Sequence, residues 1–490
     1  MKNYKTRIAA AFAAGALTFS GVGMVAPTAM AQVNGAEPTL APSQGANQID
    51  PNATGTLNIF KYEGDPGTEY VDAAPTGATP LPGVTFNVQH VDGVDLTTQD
   101  GWAELATMTP TDLQGNTLGA TTAVTTGANG QATFTGPVGV YLVTETAFGS
   151  YTVAPPFLIT LPYAGENGAW QYERNVYPKN QNIQPDKQVN DNDATLGGNL
   201  HYTVNAPVPA GALDTLTITD PLVDNLALVD SSAVITAEGV NLVPADYTVT
   251  YTNNTLVVDF TEAGLAKLQA ARVGAADLAV SVSFDAQVVS IPADGNIPNT
   301  ATVTYPNGVE LDTDVDGTAT STTFGNLTIT KTGTGLESGD TLDGAVFEVY
   351  HCTADDELVG EALSIATANN ASSVADELTT AGFDGTQATV TGYGLPATSF
   401  SGAGTGATEN TYCVLETQAP SGFVRNPEPQ PVNYDAASNT FTVSVNNQKD
   451  SIFGQLPATG AWGIVIAFLI GLALLARGLY TSYRDNKATA

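Results

Sequence analysis

Three lysines sit where a charged side chain is costly. Lys61 shares strand parity with Leu57 and Ile59, Lys187 with Pro185 and Val189, and Lys331 with Leu327 and Ile329. Alternate side chains of a strand point to one face, so each amine lies on an apolar face. An unpaired ammonium there is expensive unless it is neutralised. Acids and asparagines fall on the same kind of face. Glu145 follows Tyr141 and Val143, Asp220 follows Leu216 and Ile218, and Glu416 follows Tyr412 and Val414. Asn180 shares parity with Val176 and Pro178, Asn299 with Ala301 and Val303, and Asn447 with Phe441, Val443 and Val445. Burial makes an amine lose its proton more easily and makes a carboxyl hold its own. A neutral amine is a nucleophile, and a carboxyl can polarise an amide carbonyl. Attack on an Asn amide carbon, with loss of ammonia, would leave an isopeptide bond, with proximity standing in for an external enzyme. The spacing equally allows three ordinary Lys–acid ion pairs, each with an Asn nearby.

Strands must hold these groups, and the sequence offers them. Thr, Val, Gly, Pro and Asn are plentiful and helix signals are few, which favours strands and turns. The predicted fold class is all-β, with three tandem β-sandwich domains. They run from 54 to 181, 182 to 322 and 323 to 450, behind a flexible leader at 32–53. The first and third are internal repeats. Leu342-Asp343-Gly344-Ala345-Val346-Phe347 echoes Leu81-Pro82-Gly83-Val84-Thr85-Phe86, and Tyr412, Val414 and Glu416 echo Tyr141, Val143 and Glu145. The one soluble helix expected is at 260–271, with Thr261 as N-cap, Leu265 and Leu268 inward and Lys267 solvated. Lys179, next to Asn180, points with Tyr177 away from the core-type face.

Both ends carry export signals. Lys2, Lys5 and Arg7 precede an apolar run at 9–25, and Ala29-Met30-Ala31 matches a small-x-small cleavage site, so 1–31 reads as a signal peptide. Cys352 and Cys413 in an exported chain are expected to pair, clipping two strands from outside the core. Residues 32–459 hold nine Lys and Arg against 48 Asp and Glu. That balance excludes nucleic acid as a partner, which needs a basic footprint. His90, His201 and His351 stand in unrelated contexts, without zinc spacing or a nucleophile elbow, which argues against a hydrolase. Asp191-Asn192-Asp193 lacks the glycine and terminal Glu of a calcium loop and reads as a solvated turn. No metal or cofactor is expected.

The last 40 residues, 451–490, hold Leu456-Pro457-Ala458-Thr459-Gly460, an apolar run at 461–476, and then Arg477, Arg484 and Lys487. This order resembles the cell-wall sorting signal of Gram-positive surface proteins. The apolar run can span a bilayer if it extends to Tyr480 while Arg477 snorkels, and the basic residues beyond favour a cytoplasmic end. The resemblance implies that a membrane-bound sortase cleaves between Thr459 and Gly460, holds the threonine as a thioester and passes it to an amine.

The whole exported segment resembles the SpaA-type backbone pilins of Gram-positive bacteria, strings of immunoglobulin-like domains related to collagen-adhesin modules. The stretch from Tyr412 to Phe423 (YCVLETQAPSGF) resembles the pilin E-box. It implies that Glu416 promotes a bond between Lys331 and Asn447, with Asn446 the weaker alternative. The resemblance likewise implies Lys187 to Asn299 with Asp220, and Lys61 to Asn180 with Glu145. In the first domain only the centre of the box is kept, Glu145-Thr146. Trp170, Val176, Tyr177, Pro178 and Lys179 match the pilin motif, with Arg174 where a Val is expected. By resemblance Lys179 is the acceptor amine. The implied function is that of a pilus shaft subunit, joined by a pilin-class sortase from Thr459 of one copy to Lys179 of the next. A housekeeping sortase would attach the fibre to peptidoglycan, with minor pilins at tip and base, and the fibre would serve adhesion. The chain would be a sortase substrate rather than an enzyme. The alternative is a wall-anchored adhesin of the same modules that is never polymerised.

Overall fold

The computed structural model describes residues 45–66, 75–111, 113, 118–165, 169–191, 194–314, 319–399, 401–402, 408–450 and 468–480. The signal peptide at 1–31 lies outside them, as do Leu456, Pro457, Thr459 and Gly460 of the sorting motif.

Alternating apolar residues give strands, and the strands pair into three successive two-sheet units, as the composition and periodicity predict. In the first, Thr54–Phe60 lies between Gln131–Pro137, antiparallel, and Glu173–Val176, parallel. The facing sheet has the order Thr122–Thr125, Thr85–Val91, Gly139–Glu145, Phe157–Leu161. Leu57, Ile59 and Val176 from one sheet meet Phe86, Val88, Tyr141 and Val143 from the other in one core. A second small core lies beside it. A helix at Gln99–Leu105, which the sequence reading missed, is capped by Thr98 accepting from Gly101 N. Its Trp102 stacks on Trp170 at 5.4 Å. The end of the expected leader joins this core, because Ile49 is buried against Val91, Leu105 and Leu142.

In the second unit, Asn199–Pro207 pairs with both Asp186–Asn190 and Ala279–Val288. The facing sheet runs Tyr247–Thr252, Thr255–Phe260, Thr217–Pro221, Thr302–Tyr305, Val309–Asp312. The predicted helix is present at Glu262–Arg272, with Thr261 capping Gly264 N. Lys267 is not simply solvated. Its ammonium lies 2.6 Å from the buried carboxylate of Asp246, which its long stem can reach from the helix surface.

The second and third units share a strand. Thr320–Thr334 is continuous: its first residues pair with Asn296–Asn299, and from Phe324 onward it pairs with Gln387–Pro396 and, in parallel, with Thr440–Lys449. The facing sheet centres on Val346–Cys352 and Tyr412–Gln418. Cys352 and Cys413 form a disulfide across these two strands. The expectation that it clips the strands from outside needs correction, since Cys413 is fully buried and Cys352 is only 8% exposed. Parity puts the two cysteines opposite Val349 and Val414, yet both are buried on that side. Among the described residues no helix is long and apolar enough to cross a membrane, and the C-terminal helix described spans residues 468–480.

Candidate cross-linking and acceptor sites

In the first and third units the same register brings lysine and asparagine together. Asn180 pairs with Glu63, two residues beyond Lys61, and Asn447 pairs with Gly333, two residues beyond Lys331. The parallel first and last strands therefore hold amine and amide diagonally on one face, within reach of long side chains. The carboxyl comes from the facing sheet.

Lys61 Nζ donates to Asn180 Oδ1 at 2.6 Å and to Glu145 Oε2 at 2.8 Å. Asn180 Nδ2 donates to Glu145 Oε1, so one carboxyl bridges the attacking nitrogen and the nitrogen that would leave. In the third unit Lys331 Nζ donates to Asn447 Oδ1 at 2.6 Å and lies 3.1 Å from Glu416 Oε1, which also accepts from Asn447 Nδ2 at 2.8 Å. Asn446 points outward, to the hydroxyls of Thr332 and Thr334. Lys61 and Lys331 have no solvent exposure. Burial lowers the Lys61 ammonium to about 8, against the opposing pull of Glu145. It lowers Lys331 in the same sense, against Glu416.

The second unit reaches a similar cluster by another route. Lys187 comes from Asp186–Asn190, Asp220 from the facing sheet, and Asn299 from the end of Asn296–Asn299. Lys187 Nζ donates to Asp220 Oδ2. The Asn299 side chain is buried beside Asp220 and Tyr202. It lies near enough to act on their proton affinities, but it makes no hydrogen bond of standard geometry. Burial lowers Lys187 to about 8 and raises the Asp220 carboxyl, each opposed by the other's charge. Both shifts favour the neutral pair, amine and carboxylic acid, which is the state that nucleophilic attack needs.

Two sets of supporting groups were not read from the sequence. Each lysine sits over an aromatic ring: Lys61 over Phe86, Lys331 over Phe347, and Lys187 over Tyr202 and Phe284. Phe86 and Phe347 close the repeated Leu-x-Gly-x-x-Phe stretch, so that echo was a signal for them. Two backbone N–H groups also orient the carboxyls, Ala154 N on Glu145 Oε2 at 3.1 Å and Asn426 N on Glu416 Oε2 at 2.7 Å. They come from irregular chain nine and ten residues on, where no periodicity marks them.

Lys179 differs from the other lysines of the 32–459 segment. Lys61, Lys187, Lys267, Lys331 and Lys449 each lie against a carboxylate. Lys179 is half-buried, and among the described residues its ammonium has no acid partner. It pairs through its backbone with Tyr62 and opens into a cleft where the first two units meet, lined by Pro66, Val153, Gln181, Pro209 and Tyr305 among others. Arg174, at the position where the pilin motif has a Val, is buried, with its guanidinium 4.8 Å from the centre of the Tyr163 ring.

Three tandem two-sheet units, each with a buried Lys, acid and Asn, define the class as a modular all-β protein. The chain belongs to the family of Gram-positive fimbrial (pilin) subunits. The family profile for the Gram-positive pilin subunit D1, N-terminal domain, matches residues 52–181, and the SpaA profile, a prealbumin-like fold domain, matches 325–449. The chain is 30% identical over 534 residues to a fimbrial subunit type 1 of Actinomyces viscosus, covering 97% of each. It is 30% identical over 550 residues to a fimbrial subunit type 2 of Actinomyces naeslundii, covering 98% of this chain and 97% of that one. The structure of the full-length major pilin SpaD from Corynebacterium diphtheriae superposes with a TM-score of 0.66 at 26% identity, over 83% of this chain and all of that one.

Proposed function

We propose that this fimbrial subunit is a shaft pilin, self-stapled within each unit and polymerised through Lys179. In each cluster the neutral lysine amine attacks the Asn Cγ, and the carboxyl takes the amine proton and delivers it to the departing nitrogen. Ammonia leaves and a Lys–Asn amide remains. In the fibre, a pilin-class sortase cleaves Thr459–Gly460, holds Thr459 as a thioester and passes it to the Lys179 amine of the next subunit. A housekeeping sortase would then join the base to peptidoglycan, and the fibre would serve adhesion.

The observation that carries this reading is how the six lysines of 32–459 divide. Five are committed to carboxylates, three of them in buried clusters with an Asn, and among the described residues Lys179 alone offers a partly accessible amine without an acid partner. A structural ion pair would keep Lys179 out of reach, whereas an acceptor must meet a bulky enzyme.

Two measurements test it. Intact mass of reduced 32–459 should fall short of the sequence mass by one ammonia per internal bond, and Lys61→Ala, Lys187→Ala and Lys331→Ala should each restore one. A mass equal to the sequence mass would remove the internal bonds from the proposal. In cells, Lys179→Ala should abolish the high-mass covalent ladder, and an unchanged ladder would remove Lys179 as the acceptor.

A further inference from the structure

We propose that Arg272 is a positioning residue for transfer to Lys179, holding the second unit against the two chain segments that flank the acceptor. The inference rests on the reading of Lys179 as acceptor.

Arg272 ends the Glu262–Arg272 helix, and its guanidinium is buried at the junction of the first two units. Its Nε donates to Val208 O at 2.8 Å, within its own unit. Its Nη2 reaches across to Asp65 Oδ1 at 2.8 Å and to Gln181 Oε1 at 3.3 Å. These two residues bracket Lys179. Gln181 lies two positions beyond it, and Asp65 follows Gly64, whose N–H is bonded to Asn180 O at 2.8 Å. The Gln181 amide faces the second unit with both its atoms, accepting from Ala210 N at 2.7 Å and donating to Ala210 O at 3.1 Å. Pro66, Gln181, Pro209 and Ala210, drawn from both units, line the cleft into which Lys179 opens. The planar guanidinium can hold several acceptors at fixed angles, which a lysine ammonium cannot.

The Asp65 carboxylate is half exposed, so its ion pair adds little to folding. What the contact fixes is the angle of the joint, and with it the shape of the cleft around the amine. Without it the cleft is formed only part of the time. The apparent affinity of an enzyme that needs it then falls by that fraction, while turnover from the formed state is unchanged.

The test uses the exported chain, 32–459, as acceptor, a peptide carrying Leu-Pro-Ala-Thr-Gly as donor, and the pilin-class sortase of the same organism. Arg272→Gln should raise the acceptor KM roughly tenfold with kcat nearly unchanged. Its ammonia deficit should match that of the unaltered chain, while loss of the buried bond to Val208 O lowers its melting temperature somewhat. Arg272→Lys, which can engage only one of the two segments, should fall between. Asp65→Asn should raise KM by itself and add little to Arg272→Gln. Wild-type KM in Arg272→Gln, with transfer still abolished by Lys179→Ala, overturns the inference and leaves the acceptor reading standing. Transfer that survives Lys179→Ala overturns the acceptor reading instead. If Arg272→Gln fails to fold, Asp65→Asn decides alone, because the buried guanidinium keeps Val208 and Gln181; an unchanged KM there overturns the inference.

Discussion

A buried lysine is a liability until it becomes an amide, and that gives the first cluster a pH signature. Asn180→Ala cannot form the bond but keeps the two influences on Lys61, burial and Glu145. The folded Lys61 then titrates near 8 while the unfolded chain titrates near the ordinary lysine value of 10.5. Between those values the unfolded chain binds more protons, so stability rises with pH. The penalty is fully present below 8 and lost above 10.5, and amounts to up to roughly 3 kcal/mol. The bonded chain has no Lys61 titration, so Asn180→Ala should gain on it across that window in denaturant unfolding. Parallel curves would mean that Lys61 stays charged or that the bond never forms. At Glu416 the issue is proton transfer. Glu416→Gln keeps the shape and still accepts from Asn426 N, but it cannot carry the amine proton to the leaving nitrogen. Formation of the third bond should slow by about a hundredfold or more, leaving freshly folded protein one ammonia heavier by mass. A full ammonia deficit at the first time point would remove the acid from the mechanism.

Elements explain both why so much of each cluster was legible and why some of it was not. Period-two alternation alone placed Lys61, Glu145 and Asn180, and Lys331, Glu416 and Asn447, on inward faces, because every one of them stands in or beside a regular strand. The same rule separated Asn447 from Asn446. It failed where function sits in irregular chain. Ala154 and Asn426 orient the carboxyls from irregular loops, and Arg272, at a helix end, reaches a residue 207 positions away, which no local pattern encodes. The Gln99–Leu105 helix escaped because seven residues offer too few turns for a 3.6 period to emerge. The Glu262–Arg272 helix was legible from its cap, but not how tightly it docks. A Cβ at Gly264 would lie 2.0 Å from Asp246 O and 2.9 Å from its carbonyl carbon, both backbone atoms that cannot swing away. Gly→Ala within a helix ordinarily stabilises by about 0.5–1 kcal/mol. Here the clash reverses the sign, and Gly264→Ala should cost about 1–3 kcal/mol as the helix shifts outward. Thermal unfolding at or above the wild-type temperature would show that the helix has room to move. Because that helix carries Arg272, the same substitution should also raise the acceptor KM.

In the fibre, load would enter each subunit at Lys179 and leave at Thr459, and the covalent links decide which chain can stretch between them. From Lys179 the path runs to Lys187, crosses to Asn299, continues to Lys331, crosses to Asn447 and goes on to Thr459. With the proposed bonds formed, the segments 188–298 and 332–446 would be bypassed and could not extend. Residues before Lys179, Lys61 and Glu145 among them, would lie outside the path, which meets the first cluster only at the backbone of Asn180, so the Lys61–Asn180 bond would carry no tension. The three proposed bonds would therefore have different mechanical consequences although the clusters look alike chemically. Lys187→Ala should let the 188–298 stretch pay out when polymerised subunits are pulled singly, roughly 370 Å of extended chain less its folded span. Lys331→Ala should release only about half as much, roughly 180 Å, because the Cys352–Cys413 disulfide keeps residues 353–412 closed. Lys61→Ala should lower the melting temperature of the first unit and leave the force–extension trace unchanged. The continuous Thr320–Thr334 strand hands load from the second unit to the third without a flexible linker, so the two should extend in series and not swing apart first. If Lys61→Ala lengthens the trace as Lys187→Ala does, tension passes through the first unit, and the fibre must be joined at a residue other than Lys179.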